Sequence, residues 1–130
     1  MIPLRNVLKV NSISSGATGI CLVTFSEIFA SLFGVSQRVP FVTVGLFLIL
    51  FAGFVMLVAL QRSIQPRRIT TIIAMDIGWV MGSVVAVLWL NGTISIIGII
   101  IILFVAVWVG VMAILQFMGA KAVEKFSDPL

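Results

Sequence analysis

The chain contains no histidine and a single cysteine, Cys21, among its 130 residues. The absence of histidine removes the commonest transition-metal ligand, the usual axial ligand of haem and the commonest proton shuttle near neutral pH. One thiol cannot form an intrachain disulfide and, without histidine beside it, cannot build a zinc site. We therefore expect no metal, no cofactor and no catalytic residues, and we expect that the chain is not an enzyme.

Charge is scarce as well. Charged residues make up 9% of the chain, whereas 62% of its residues are hydrophobic. An ordinary soluble domain carries about 25% charged residues, so this chain cannot cover itself with a water-soluble surface. The composition predicts one all-α integral membrane domain over residues 1–130, with no separate soluble domain.

Four apolar stretches predict four transmembrane helices. They lie at about residues 11–33, 41–60, 69–90 and 93–118. Each is long enough to cross a hydrocarbon core about 30 Å thick, because a helix rises about 1.5 Å per residue. The short connections between consecutive stretches predict an antiparallel four-helix bundle.

Local signals mark the ends of these stretches. Pro40 is compatible with the start of the second helix, and Pro66 prevents a simple continuation from the second helix into the third. Thr93 is available as the N-cap of the fourth helix. The second and fourth stretches each end near a glutamine, Gln61 and Gln116.

The basic residues are distributed asymmetrically. Of the eight, Arg38 alone lies on one side of the predicted membrane, and the other seven lie on the opposite side: Arg5, Lys9, Arg62, Arg67, Arg68, Lys121 and Lys125. Basic loops face the cytoplasm, so we expect both termini in the cytoplasm and a multi-pass protein of the cytoplasmic (inner) membrane.

The formal charge of +4 does not indicate a nucleic-acid partner. The basic residues are spread among the ends of several helices and are not gathered with aromatic residues on one face. The densest group, Arg62, Arg67 and Arg68, lies between the second and third helices, where we expect contact with anionic lipid headgroups.

Small and polar residues indicate which helix faces pack against protein, because helix association in lipid depends on close packing and hydrogen bonds. In the first stretch they follow helical spacing along one side, which includes Ser15, Gly16 and Gly19. In the third stretch two faces carry such residues: Asp76, Trp79 and Ser83 on one, Gly78 and Gly82 nearly opposite. Two packing faces on one helix predict a homo-oligomer or a larger membrane complex.

Glu27 and Asp76 are the acids inside the predicted helices, and they are the strongest candidates for function, since an ionised carboxylate in hydrocarbon costs at least about 3 kcal/mol. A structural role would pair Asp76 with Asn11 and Ser15 on the first helix, and would pair Glu27 with Arg38. A transport role would instead use the two acids, at different depths, as a polar path for protons or a cation. Counted from the predicted helix ends, Glu27 lies about 10 Å below the outer boundary and Asp76 about 10 Å above the inner one.

Two short motifs carry a resemblance. Residues 4–11 read LRNVLKVN, and residues 76–83 read DIGWVMGS. In these motifs the chain resembles a set of short bacterial four-helix membrane proteins that carry Leu-Arg-x-x-Leu-x-x-Asn at the start and Asp-x-x-Trp-Val-x-Gly-Ser in helix three. The resemblance implies a four-helix membrane fold and implies no particular activity.

These observations predict a small integral membrane protein with an accessory or scaffolding role, which acts through helix contacts with itself or with a larger complex. The alternative is an oligomeric proton- or cation-linked transporter or channel that uses Glu27 and Asp76.

Overall fold

The computed structural model describes residues 3–127, and it describes side chains as far as residue 121. The side chain of Lys125, one of the predicted inner-face cations, therefore lies outside the described residues. The described chain is all-helical, with five helices: α1 (Leu4–Thr24), α2 (Ser26–Phe33), α3 (Val39–Ala59), α4 (Pro66–Leu90) and α5 (Ile96–Ser127).

Three of these helices, α3, α4 and α5, are long and apolar enough to cross a membrane, and the bent pair of α1 and α2 counts as a further candidate span. The structure thus agrees with a multi-pass membrane protein. The apolar stretches at 41–60, 69–90 and 93–118 correspond to these helices, whose ends differ by up to three residues, except that α5 runs to Ser127, nine residues beyond 118. Helices extend beyond the apolar core of a span, so α4 begins earlier and α5 continues further.

The first predicted span, 11–33, is not one straight helix. The helix begins at Leu4, leaves helical geometry at Phe25 (φ −108°, ψ 32°) and resumes as α2, which is bent by 85° from α1. The early start follows from Pro3, whose carbonyl accepts the N–H groups of Asn6 and Val7 at 3.0 and 3.1 Å. Hydropathy marks where lipid begins, whereas this helix starts in the preceding segment, which carries Arg5 and Lys9.

The predicted N-cap of the last helix is also different. The turn after α4 contains Gly92 at φ 91°, a left-handed conformation that glycine adopts without steric cost. Helix α5 then begins at Ile96, and the Ser95 Oγ accepts the N–H of Gly98 at 3.1 Å. Ser95, rather than Thr93, therefore caps this helix.

Helix packing is most extensive between α1 and α3, followed by α4 and α5, and α1 also packs against α5. The α1–α3 contact depends on two glycines. A Cβ atom on Gly19 would lie 2.6 Å from the Gly45 carbonyl oxygen, and a Cβ on Gly45 would lie 2.7 Å from the Gly19 oxygen. These backbones can approach so closely only because neither residue has a side chain.

Two apolar clusters fill the interior. The smaller one lies under α2 and contains Ala30, Phe33 and Phe41, with the Phe33 and Phe41 rings edge to face at 4.9 Å. The larger one joins the start of α1, the end of α3 and the start of α4: Leu4, Leu8, Phe51, Val55, Val58, Ala59, Ile69 and Ile72. Between these two ends the interior carries polar side chains.

Candidate functional site: a buried polar cluster that links three helices

Three polar side chains from three helices meet in the interior. Asn11 of α1, Asp76 of α4 and Gln116 of α5 are 1%, 3% and 0% exposed. A buried amide or carboxyl without a hydrogen-bond partner is costly, so each must find its partners inside the protein. We call these three residues the polar cluster.

The polar cluster is a closed set of hydrogen bonds. The Asn11 Nδ2 donates to the Asp76 Oδ2 at 3.2 Å and to the Gln116 Oε1 at 2.7 Å. The Gln116 Nε2 donates to the same Asp76 oxygen at 2.7 Å. Each of the three side chains therefore bonds to both of the others. The Ser15 Oγ extends the set by donating to the Asn11 Oδ1 at 3.2 Å.

Two amides, rather than a cation, are the partners of the Asp76 carboxyl. Lys9, whose long side chain could reach the depth of Asp76, makes no ion pair with it among the described residues. Within those residues there is also no group of three or more metal-ligating side chains. The arrangement can hold α1, α4 and α5 in one register, and it presents no nucleophile with an adjacent base.

A small cavity lies beside the polar cluster. It has a volume of about 20 Å³, and its lining includes Ser15, Phe47, Asp76 and Trp79. The Trp79 ring stacks on Phe47, with centroids 6.4 Å apart and planes inclined by 9°. The Trp79 Nε1 atom is buried and has no hydrogen-bond partner among the described residues. A cavity of this volume has room for about one water molecule.

Glu27 belongs to a different environment. It lies in the first turn of α2, and its Oε1 accepts a hydrogen bond from the Arg38 Nη1 at 3.0 Å. The side chains are 58% exposed for Arg38 and 78% exposed for Glu27. Glu27, on α2, and Asp76, on α4, therefore have separate partners. The depth expected for Glu27 assumed a straight first helix, and the bend at Phe25 removes that premise.

The predicted packing residues on α1 and on α4 lie in different surroundings. Gly16 and Gly19 face α3, where a Cβ on Gly16 would lie 3.4 Å from the Ala52 Cβ. Gly78 and Gly82 of α4 are open, since a Cβ atom on either would meet no atom within 4 Å. Ser83 is buried but bonds within its own helix, where its Oγ donates to the Trp79 carbonyl at 2.7 Å.

The end of α3 meets the predicted inner-face cations. The Arg5 guanidinium donates to the carbonyl oxygens of Ala59 and Gln61, the latter at 2.7 Å. These carbonyls have no partner further along the helix, and a cation is favourable at a helix C-terminus. The other three cations of this region, Arg62, Arg67 and Arg68, are exposed.

Two of the residues in these contacts were not predicted as site residues. The sequence pattern places Gln116 only near the end of a span, although a lone amide in an apolar helix is itself a signal of a buried hydrogen bond. The sequence prediction does not pair Gly45 with Gly19, although a glycine within an apolar helix is a signal of close packing.

Comparison of the chain with protein-family models, with curated proteins and with solved structures found no match.

Proposed function

We propose that the chain is an accessory or scaffolding protein of the cytoplasmic membrane, which acts through helix contacts with a second copy of itself or with a larger membrane complex. In this proposal the bundle is antiparallel, and both termini lie in the cytoplasm. The distribution of basic residues supports that orientation. The motifs at residues 4–11 and 76–83 support membership of the short bacterial four-helix membrane proteins that the chain resembles.

The open glycine face of α4 carries the proposal. On one side α4 supplies Asp76 to the polar cluster, whereas a Cβ atom added at Gly78 or Gly82, nearly opposite on the helix, would meet nothing within 4 Å. Ala74 and Ala86 continue the same four-residue spacing and are exposed and half-buried. Such a row of small residues lets the backbone of another transmembrane helix approach closely, and it offers little to lipid chains.

The exposed arginines support a second contact, with lipid. Arg62, Arg67 and Arg68 stand at the α3–α4 connection with their side chains exposed. Beside an anionic leaflet each is worth about 1 kcal/mol of attraction to headgroups. This contact would hold the inner end of the bundle at the membrane surface, and it requires no other protein.

The test is the double variant Gly78→Leu with Gly82→Leu. Leucine would fill the proposed contact, so self-association in lipid vesicles, measured by energy transfer between labelled chains, should weaken at least about tenfold, or about 1.4 kcal/mol. If the partner is another protein, the set of proteins that copurifies in mild detergent should shrink instead. Gly53→Leu in α3 is the matched control, because a Cβ there also meets nothing within 4 Å.

Unchanged self-association together with an unchanged set of copurifying proteins would contradict the proposal. The competing hypothesis of a proton- or cation-linked transporter is tested separately, in proteoliposomes with Glu27→Gln and Asp76→Asn. The scaffold proposal expects no acid-dependent flux in the unmodified protein. Flux that is present and is lost in either variant would replace the scaffold with the transporter.

A further inference from the structure

Helix α2 has three distinct sides, although it is only eight residues long. At about 100° per residue, Ser26, Ala30 and Phe33 share one side, and all three are buried. Glu27 and Ser31 share a second side, and both are exposed. Ile28 and Leu32 form a third side and are 56% and 38% exposed. Of these three sides, only the first is buried in protein.

The buried side is held firmly across the ends of two spanning helices. The Phe33 ring lies against α5, where a Cβ on Gly98 would approach it to 2.8 Å, and the same ring meets Phe41 of α3. The Phe33 carbonyl accepts the Ser95 N–H at 2.9 Å, and the Leu32 carbonyl accepts from the Ser95 Oγ. Gly98 and Phe41 lie in the first turn of their helices, so α2 lies at the rim of the bundle.

The direction of α2 follows from α1. Helix α1 has 21 residues, which is about 30 Å and matches the hydrocarbon thickness. Its buried polar residues, such as Asn11 and Ser12, point into the protein, and its exposed residues include Val10, Ile13 and Ile20. Helix α1 qualifies as a span only together with α2, but its length is sufficient to cross and its buried polar residues are covered by protein. If α1 is the crossing segment, then α2, bent by 85° from it, runs along the membrane plane.

We propose that α2 is an interfacial helix that binds the lipid surface at the end of the bundle away from Arg5. Ile28 and Leu32 enter the lipid, continuing the apolar outer surface of α1, while Glu27 and Ser31 face water and headgroups. An in-plane helix with one apolar and one polar side is the form that binds a membrane interface. The exposed ion pair of Glu27 with Arg38 agrees with a position at the water boundary and disfavours a re-entrant segment in hydrocarbon, where an exposed ion pair is costly.

The experiment places a nitroxide at each side of α2 in the full chain, reconstituted in lipid vesicles. Cys21→Ser removes the native thiol, and single variants Glu27→Cys, Ile28→Cys, Ser31→Cys and Leu32→Cys are labelled. Collision rates are measured with oxygen, which concentrates in lipid, and with a nickel chelate, which stays in water. Leu50→Cys, at a site 76% exposed within α3, and Gln37→Cys in the exposed α2–α3 connection provide the lipid and water references.

The expected result is an alternation within one helical turn. The ratio of oxygen to nickel collisions should be several-fold higher at positions 28 and 32 than at 27 and 31. Four ratios close to that of Leu50→Cys would place α2 within hydrocarbon, and four close to that of Gln37→Cys would place it in water. Either result overturns the proposal. Ser31→Cys leaves the ion pair intact, so it reports on the polar side even if Glu27→Cys disturbs the local structure.

Discussion

Replacing Asn11 with alanine tests whether the polar cluster holds the bundle together. Asn11 makes two hydrogen bonds to other helices, one to Asp76 at 3.2 Å and one to Gln116 at 2.7 Å. Hydrogen bonds between transmembrane helices average about 0.6 kcal/mol each and reach about 1.7 kcal/mol. The two lost bonds, together with the unpaired Gln116 oxygen they leave, should lower the free energy of unfolding by about 1–3 kcal/mol.

The measurement is the free energy of unfolding in a lipid–detergent mixture, followed by helix content. Asn6→Ala is the matched control, because Asn6 lies in the same helix and its side chain is exposed. It makes the same chemical change without removing a buried contact, so it should alter the free energy of unfolding by no more than about 0.5 kcal/mol.

A second variant, Gln116→Ala, completes a double-mutant cycle with Asn11→Ala. The two residues share a hydrogen bond and a common acceptor on Asp76, so their effects should not add, and the coupling energy should be at least about 0.5 kcal/mol. Two results would refute the reasoning. One is an Asn11→Ala variant as stable as Asn6→Ala, and the other is strictly additive losses in the cycle.

Two further predictions use the same unfolding assay. Gly19→Ala should lower the free energy of unfolding by about 1–3 kcal/mol, because its Cβ would meet the Gly45 carbonyl oxygen at 2.6 Å. Gly53→Ala, with open space around it, should leave the free energy of unfolding unchanged or raise it. Equal effects of the two variants would contradict the close α1–α3 approach. Glu27→Gln should change the free energy of unfolding by less than about 1 kcal/mol, because both side chains of the ion pair between Glu27 and Arg38 are exposed. A larger loss would show that the pair is buried in the membrane.

Apolar length and polar spacing were enough to predict α3, α4 and α5 and two of the three residues of the polar cluster. In a membrane every spanning segment must satisfy its own backbone, so long apolar runs predict helices with few alternatives. The pairing of Asn11 with Asp76 was predictable because the sequence predicts the two residues at similar depths on helices of opposite direction. The third residue of the polar cluster, Gln116, was not predictable in this way. It lies between apolar residues and the basic end of its helix, and a residue in that position can equally lie in the headgroup region.

The bend between α1 and α2 was not predictable from local signals. No proline or glycine occurs between Ile20 and Phe33, and a run of this composition would ordinarily continue as one helix. The bend is fixed by distant partners. Ser95 bonds to the carbonyls at the end of α2, and Gly98 leaves space for the Phe33 ring. Contacts between residues so far apart in sequence leave no local signal from which the bend could be predicted.

The polar cluster and the open α4 face have a common physical origin. In hydrocarbon an apolar side chain gains little by leaving lipid for protein, so apolar residues alone specify neither partner nor register. The α1–α3 pair obtains specificity from Gly19 and Gly45. Helix α4 packs little against α3, and its link to α1 is the bond from Asn11 to Asp76. Its other small residues, Gly78 and Gly82, specify nothing within the chain, and this is why we look for their partner outside it.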